Sequence, residues 1–269
     1  MKRKAYELLP SRLEPFVERS YDFLMGVTSN EPPADEFIQE FFSRQEYDRL
    51  VDGFEQQLRR TADHRGLYDL LTSNSGLGGV EVKTCKYQYA IVRKLSPSVV
   101  VEAGVCNGLS TLAILLGLAE NGSGILHSVD YPLRAEESLE EFLEYRHLRP
   151  RKFYETIPAA YDGAVVPSDM DPGWIVPEEF DDKWNLILGR SQRKLPELLP
   201  QLNGLDLFVH DSEHSHPCMM FEYELAWEWL EDGGVILSDD IDANDAFDVF
   251  TRNRGSVSGR LPNQIGYVR

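Results

Sequence analysis

Three of the chain's six histidines and two acids crowd into FVHDSEHSHPCMM (208–220): His210, Asp211, Glu213, His214 and His216. By residue type alone this density admits three chemistries: a metal site, a catalytic base with orienting partners, or a polar loop rich in histidine. A second acidic pair, Asp239 and Asp240, ends the run GGVILSDD (233–240). EAGVCNGLS (102–110) places two glycines and a serine in one turn, and GILHSVD (124–130) closes on Asp130.

What these residues can do depends on the elements that carry them. From about residue 80, short apolar runs alternate with helical stretches. SVVVEAG (98–104), GILHSVD, WNLILG (184–189), LDLFVHD (205–211) and GGVILSDD read as five strands. Helices are expected over LSTLAILLGLAENG, over SQRKLPELLPQL, and from about Cys218 to Leu230. Short apolar strands with helices between them specify a parallel sheet covered on both faces. QIGYVR is expected as an edge strand.

Residues 1–76 read as helices alone. Apolar residues recur at three- and four-residue spacing in AYELLPSRLEPFVERSYDFL and ADEFIQEFFSRQEYDRLVDGFEQQLRR. The expected organisation is a helical extension over 1–76, serving as a cap or an arm for homo-oligomers, and an α/β domain over 77–269. A Pro-, Gly- and acid-rich insertion at 131–183 separates two neighbouring strands. Segments of that length are often substrate lids, and surface decoration is the plainer alternative.

Composition narrows the partners. The 269 residues suffice for a full α/β core. A net charge of −18 repels polyanions, so nucleic acid is not an expected partner. No run approaches the ~20 apolar residues of a membrane helix, and no apolar signal segment follows the basic N-terminus. Three widely spaced cysteines (Cys85, Cys106, Cys218) suit reduced thiols in the cytoplasm and form no CxxC clamp.

In doubly wound sheets ligands bind at the carboxyl ends of the strands, where strand order reverses. Gly104, Asp130, Asp211 and the pair Asp239–Asp240 stand at such ends and should converge. The turn EAGVCNGLS has the form GxxxG rather than the GxGxxG that cradles a dinucleotide pyrophosphate, which counts against a nicotinamide cofactor. Helix-terminal amides and Ser110 suit a small carboxylate instead. Asp130 is placed to accept two ribose hydroxyl groups, so a nucleoside ligand is expected.

These motifs resemble those of the class I S-adenosylmethionine-dependent methyltransferases, whose pattern here is ExGxxxGxS. The likeness is greatest to the catechol O-methyltransferase type and the methyltransferase domain 24 group. SPSVVVEAGVCNGLS, LILGRSQRKLPELL and DLFVHDSEH…GGVILSDDI match in order, from about residue 77 to the C-terminus. The resemblance implies a Rossmann-like, mostly parallel seven-stranded sheet. It also implies that Glu102, Gly104, Asn107, Gly108 and Ser110 line the methionine end of S-adenosylmethionine, that Asp130 holds its ribose, and that Ser191 and Gln192 lie near its adenine. Asp211, Asp239 and Asp240 match the metal ligands of the magnesium-dependent members, Asp211 also lying beside the cofactor. His214 falls where the catechol enzymes carry a catalytic lysine.

The residue chemistry agrees with that assignment. Three carboxylates and no thiolate form a hard oxygen set suited to Mg²⁺ or Ca²⁺, and an unperturbed imidazole suits His214 to proton removal at neutral pH. The implied activity is methyl transfer to a hydroxyl of a small molecule or glycan. Plainer roles stand beside each assignment. Asp239–Asp240 could cap a helix starting near Ala243, and Asp211 could serve the cofactor or cap a helix without a metal. His214 could merely position its loop. His210 is expected to be packed, His216 solvent-facing, and Cys106 a filler of the turn. A nicotinamide- or nucleotide-dependent enzyme and a non-catalytic cofactor-binding protein remain the alternative functions.

Overall fold

All five expected runs become strands in the computed structural model, which describes residues 34–63, 68, 82–131, 166, 170–254 and 256–269. They are β1 (Val99–Ala103), β2 (Ile125–Asp130), β3 (Trp184–Leu188), β4 (Leu205–His210) and β5 (Leu230–Ser238). All neighbouring pairs among these five are parallel. Two further strands, β6 (Ser258–Leu261) and β7 (Ile265–Val268), form an antiparallel hairpin. The seven-stranded order is β3-β2-β1-β4-β5-β7-β6, the Rossmann-like architecture expected from the sequence.

The QIGYVR run does not form the edge. As β7 it lies between β5 and β6, and SGRL, which carried no apolar alternation, supplies the edge strand. Every residue of β7 is buried, whereas β6 buries only Leu261. A short, polar outer strand is a common way to blunt an exposed sheet edge.

Helices cover both faces. On one face lie α1 (Asp35–Phe41), α2 (Arg44–Asp63), α3 (Val82–Leu95) and α4 (Leu109–Asn121). On the other lie α5 (Ser191–Leu198), α6 (His216–Trp229) and α7 (Ala246–Arg254). Helix α4 is apolar around its whole circumference and is buried throughout Leu109–Leu118. Such a helix must be covered on both sides, and α2 and α3 supply the outer cover. Phe37 and Phe41 of α1 pack edge-on against Tyr267 of β7, so this helix shares the core of the sheet.

The segment 5–24, the expected boundary at 76 and most of the 131–183 insertion lie outside the described residues. Among those described, no helix is long and apolar enough to cross a membrane.

Candidate active site

Strand order reverses between β1 and β4, and their carboxyl ends are stitched together. Asp211 donates its backbone N–H to Ala103 at 2.8 Å, and Asp239 donates to His210 at 2.9 Å. The ends of β1, β4 and β5 therefore form one ledge. Gly104, at φ 96°, turns the chain off β1 so tightly that a Cβ there would lie 1.8 Å from the Asp211 carbonyl oxygen.

The turn after β1 faces β2. Asp130 accepts the Cys106 N–H at 3.1 Å, which fixes its carboxylate beside the turn. Tyr131, exposed and immediately after Asp130, lies under the Arg190 guanidinium at 5.5 Å. This pair was not anticipated, although an aromatic directly following a strand-end acid was the available signal. Ser191 and Gln192 open α5 and meet the opening turn of α6, with Gln192 Nε2 3.0 Å from Cys218 Sγ.

Glu102 lies beneath the turn rather than facing the crevice. It is fully buried and accepts from Ser110 at 2.7 Å, Thr111 at 2.8 Å and Ser128 at 2.7 Å. Its carboxylate braces the start of α4 against β2, and the Ser110 hydroxyl is spent on that brace. Asn107 is likewise engaged, accepting the Trp174 indole N–H at 2.5 Å.

Burial lifts the Glu102 carboxyl to about 7, against the downward pull of the three hydroxyls. An unfolded glutamate titrates near 4.5, so between these values the folded chain holds a proton that the unfolded chain has lost. This contribution is full below the lower value and disappears as pH rises through the higher one. At about 1.4 kcal/mol per unit it amounts to roughly 3 kcal/mol. Glu102→Gln is expected to flatten the decline in stability across this window in urea unfolding. An unchanged decline would assign it to other acids.

Those other acids are Asp211 and Asp239. Burial, then repulsion from Asp239 and Asp240, raises Asp211; burial, then repulsion from Asp240, raises Asp239 to about 7 against the pull of its hydrogen bond to Asp211. Asp240 is strained, at φ 49°, half-exposed, and turned toward His214. It does not cap a helix through its side chain, because α7 begins at Ala246, whose N–H is capped by Asn244 Oδ1 at 2.9 Å.

The histidine cluster divides three ways. His214 stands between two acids, with Nε2 3.8 Å from Asp211 and Nδ1 3.5 Å from Asp240. Its Nε2 is buried with no hydrogen-bond partner among the described residues. Burial, then the neighbouring His210, pushes its pKa down to about 4, well below the ordinary imidazole value expected from the sequence. At pH 7 its imidazole is therefore neutral. His216 is half-exposed and pairs with Asp245 at 3.4 Å.

His210 is fully buried and donates from Nδ1 to Glu222 at 2.6 Å. Glu222, on α6, was missed by sequence reasoning. It also accepts from Ser212 at 2.7 Å and from Cys218 at 3.5 Å. Burial alone would raise its carboxyl, but His210 and the Ser191 and Ser212 hydroxyls outweigh burial and hold it below the usual range. The signal was its place on the buried stripe of α6 with Cys218, Met219, Tyr223 and Ala226.

A glycine turn with a strand-end acid thus stands on one side of the crevice, and paired carboxylates with an imidazole on the other. The family model described as methyltransferase domain matches residues 101–241, more than half of the chain, and the chain belongs to that family. It is a class I S-adenosylmethionine-dependent methyltransferase.

No curated protein matches the sequence. Among solved structures, the chain is similar to the SAH-bound methyltransferase PaMTH1 of Podospora anserina, with 15% identity, 97% of each chain covered and a TM-score of 0.45. It is also similar to an O-methyltransferase from Bacillus cereus in complex with SAH, with 13% identity, 87% of this chain and 96% of that one covered, and a TM-score of 0.45. A third is the O-methyltransferase TomG from Streptomyces achromogenes in complex with SAM, with 14% identity, 79% and 88% covered, and a TM-score of 0.46.

Proposed function

We propose that the chain transfers the methyl group of S-adenosylmethionine to a hydroxyl oxygen of a small molecule or glycan, with assistance from a hard divalent cation such as Mg²⁺. The observation that carries this reading is the meeting of the Asp130 side of the crevice with Asp211, Asp239 and His214 at one switch point. Asp130 is placed to hold ribose hydroxyls, and the turn after β1 to receive the methionine end. When bound, the cofactor supplies an electrophilic methyl group, so the protein's task is positioning and proton removal.

His214, neutral and with an unpartnered buried Nε2, is the group to accept the proton of the substrate hydroxyl. Asp211 and Asp240 flank it and would stabilise the resulting imidazolium.

The chemistry of the donor set fits a cation. Asp211 and Asp239 are partly buried neighbouring carboxyls that share a hydrogen bond. Among the described residues, no three acids, histidines or cysteines form a complete cage. Magnesium is commonly held by one or two carboxylates with substrate oxygens and water completing its shell. Asp211 and Asp239 would hold it, with Asp240 at the margin, and the cation would acidify the hydroxyl that His214 deprotonates.

Thermal shift with S-adenosylhomocysteine and with NAD, each with and without Mg²⁺, tests the reading, and a response to NAD alone would overturn it. Labelled S-adenosylmethionine incubated with a cell extract would then identify the acceptor. Asp239→Ala is expected to lower transfer at least about 100-fold while retaining homocysteine-cofactor binding. Transfer that persists in this variant and resists EDTA would remove the metal and leave the cofactor site.

A further inference from the structure

The described end of the 131–183 insertion packs on the outside of the cofactor turn. Gly173 donates its N–H to the Cys106 carbonyl at 2.9 Å, and Ile175 donates to the Asn107 carbonyl at 3.4 Å. The Trp174 indole donates to Asn107 Oδ1. The fit between the two backbones depends on an absent side chain. A Cβ on Gly108 would meet the Gly173 Cα at 2.7 Å and Val176 at 3.1 Å.

Behind the segment stands Trp184 of β3, whose ring faces Gly173. Its indole donates to Ser128 at 2.9 Å, and Ser128 in turn donates to Glu102 beneath the same turn. The turn is thus gripped from outside by 173–176 and from below by Glu102.

The turn needs that grip. Cys106 has φ 50°, a left-handed conformation that costs a non-glycine residue about 1–2 kcal/mol. Such strain persists only where the surroundings fix it. Here the Cys106 N–H is held by Asp130 and its carbonyl by Gly173. The strained residue lies in the loop expected to receive the methionine end of the cofactor.

We infer that residues 171–176 form a fixed clamp on the cofactor turn, and that Trp174 is a positioning residue that sets cofactor affinity through Asn107. The inference rests on the methyltransferase reading. With Asn107 held, the turn enters binding already shaped, and the cost of ordering it is not taken from cofactor affinity.

Titration calorimetry with S-adenosylhomocysteine tests this on the wild type, Trp174→Phe, Asn107→Ala and the double variant. Trp174→Phe keeps an aromatic ring and loses the indole N–H. It is expected to weaken binding about tenfold, the scale of one lost hydrogen bond, and to raise KM for S-adenosylmethionine more than it lowers kcat. The melting temperature of the cofactor-free protein should stay within a few degrees of wild type. The double variant should bind no worse than the weaker single variant, because both substitutions break one link.

Affinity within twofold of wild type, or additive losses in the double variant, would overturn the clamp. So would an affinity loss that tracks a matching loss of cofactor-free stability. In the wild type, the Trp174 indole proton should exchange slowly before cofactor is added, and fast exchange would overturn the clamp even if the variants fail to fold. No binding by the wild type would instead refute the methyltransferase reading, and the clamp with it.

Discussion

Glu222→Ala is expected to destabilise the protein by about 3–5 kcal/mol, because it strands several hydrogen-bond donors at about 1–3 kcal/mol each. Against a usual total of roughly 5–15 kcal/mol, that is enough to leave much of the chain unfolded under mild heating. Glu222 is fully buried and accepts from His210, Ser212 and Cys218. Truncation strands the His210 and Cys218 donors in the interior and frees the partly buried Ser212 hydroxyl. His210 suffers most, because its Nε2 already has no hydrogen-bond partner among the described residues.

His210 and Ser212 flank Asp211 in the chain, so the loss should also loosen the ledge that aims the Asp211 carboxylate. Glu222→Gln keeps one acceptor oxygen and should cost only about 1–3 kcal/mol. Urea unfolding of the two variants measures both values. An alanine variant within about 1 kcal/mol of wild type would show that the network does not hold the site.

Gly104→Ala is expected to be at least as damaging, with a loss above about 4 kcal/mol or failure to fold. The added Cβ would lie 1.8 Å from the Asp211 carbonyl oxygen, 2.4 Å from its carbon and 2.9 Å from the Ser212 nitrogen. All three are backbone atoms, and neither side can retreat. Gly104 donates to Val129 at 2.9 Å and Asp211 donates to Ala103 at 2.8 Å, so the clash falls on a junction fixed by the sheet.

Gly122→Ala provides the control. Gly122 also has a positive φ, 76°, but a Cβ there meets nothing within 4 Å. It should cost about 1 kcal/mol, the conformational penalty alone. Thermal unfolding of the pair separates backbone strain from collision. Equal losses would mean that the β1–β4 junction yields more readily than its hydrogen bonds imply.

The five parallel strands were legible because each is a short apolar run punctuated by glycine or aspartate. Periodicity and punctuation are local properties, and local properties survive in sequence. The hairpin of β6 and β7 was only half legible. SGRL has a glycine and an arginine where an apolar alternation would be sought, and its strand character comes from pairing with β7. Burial of β7 made it read as a strand, but burial does not say which neighbour lies outside it.

Glu222 shows a different loss of information. It stands on an apolar helix stripe, yet its partners outside that helix lie on β4 and on the loop beyond it. The Trp174–Asn107 link joins residues separated by most of the 131–183 insertion. Neither spacing corresponds to a helix or strand period, so no pattern in the chain connects them.

Chain order alone places the candidate residues, most of them at strand ends. Residue type and one-dimensional spacing suffice to put the turn after β1, Asp130 and the acids at 211, 239 and 240 at or just beyond the ends of strands. How those ends face one another is set by packing in three dimensions. Strand-order reversal places β4 beside β1 and sets Asp211 against Gly104, while burial makes Glu102 a brace, keeps His214 neutral and makes Glu222 an anchor. The physical reason is that charge state and hydrogen-bond partnership depend on what surrounds a group in space, and packing brings together surroundings that chain order keeps apart.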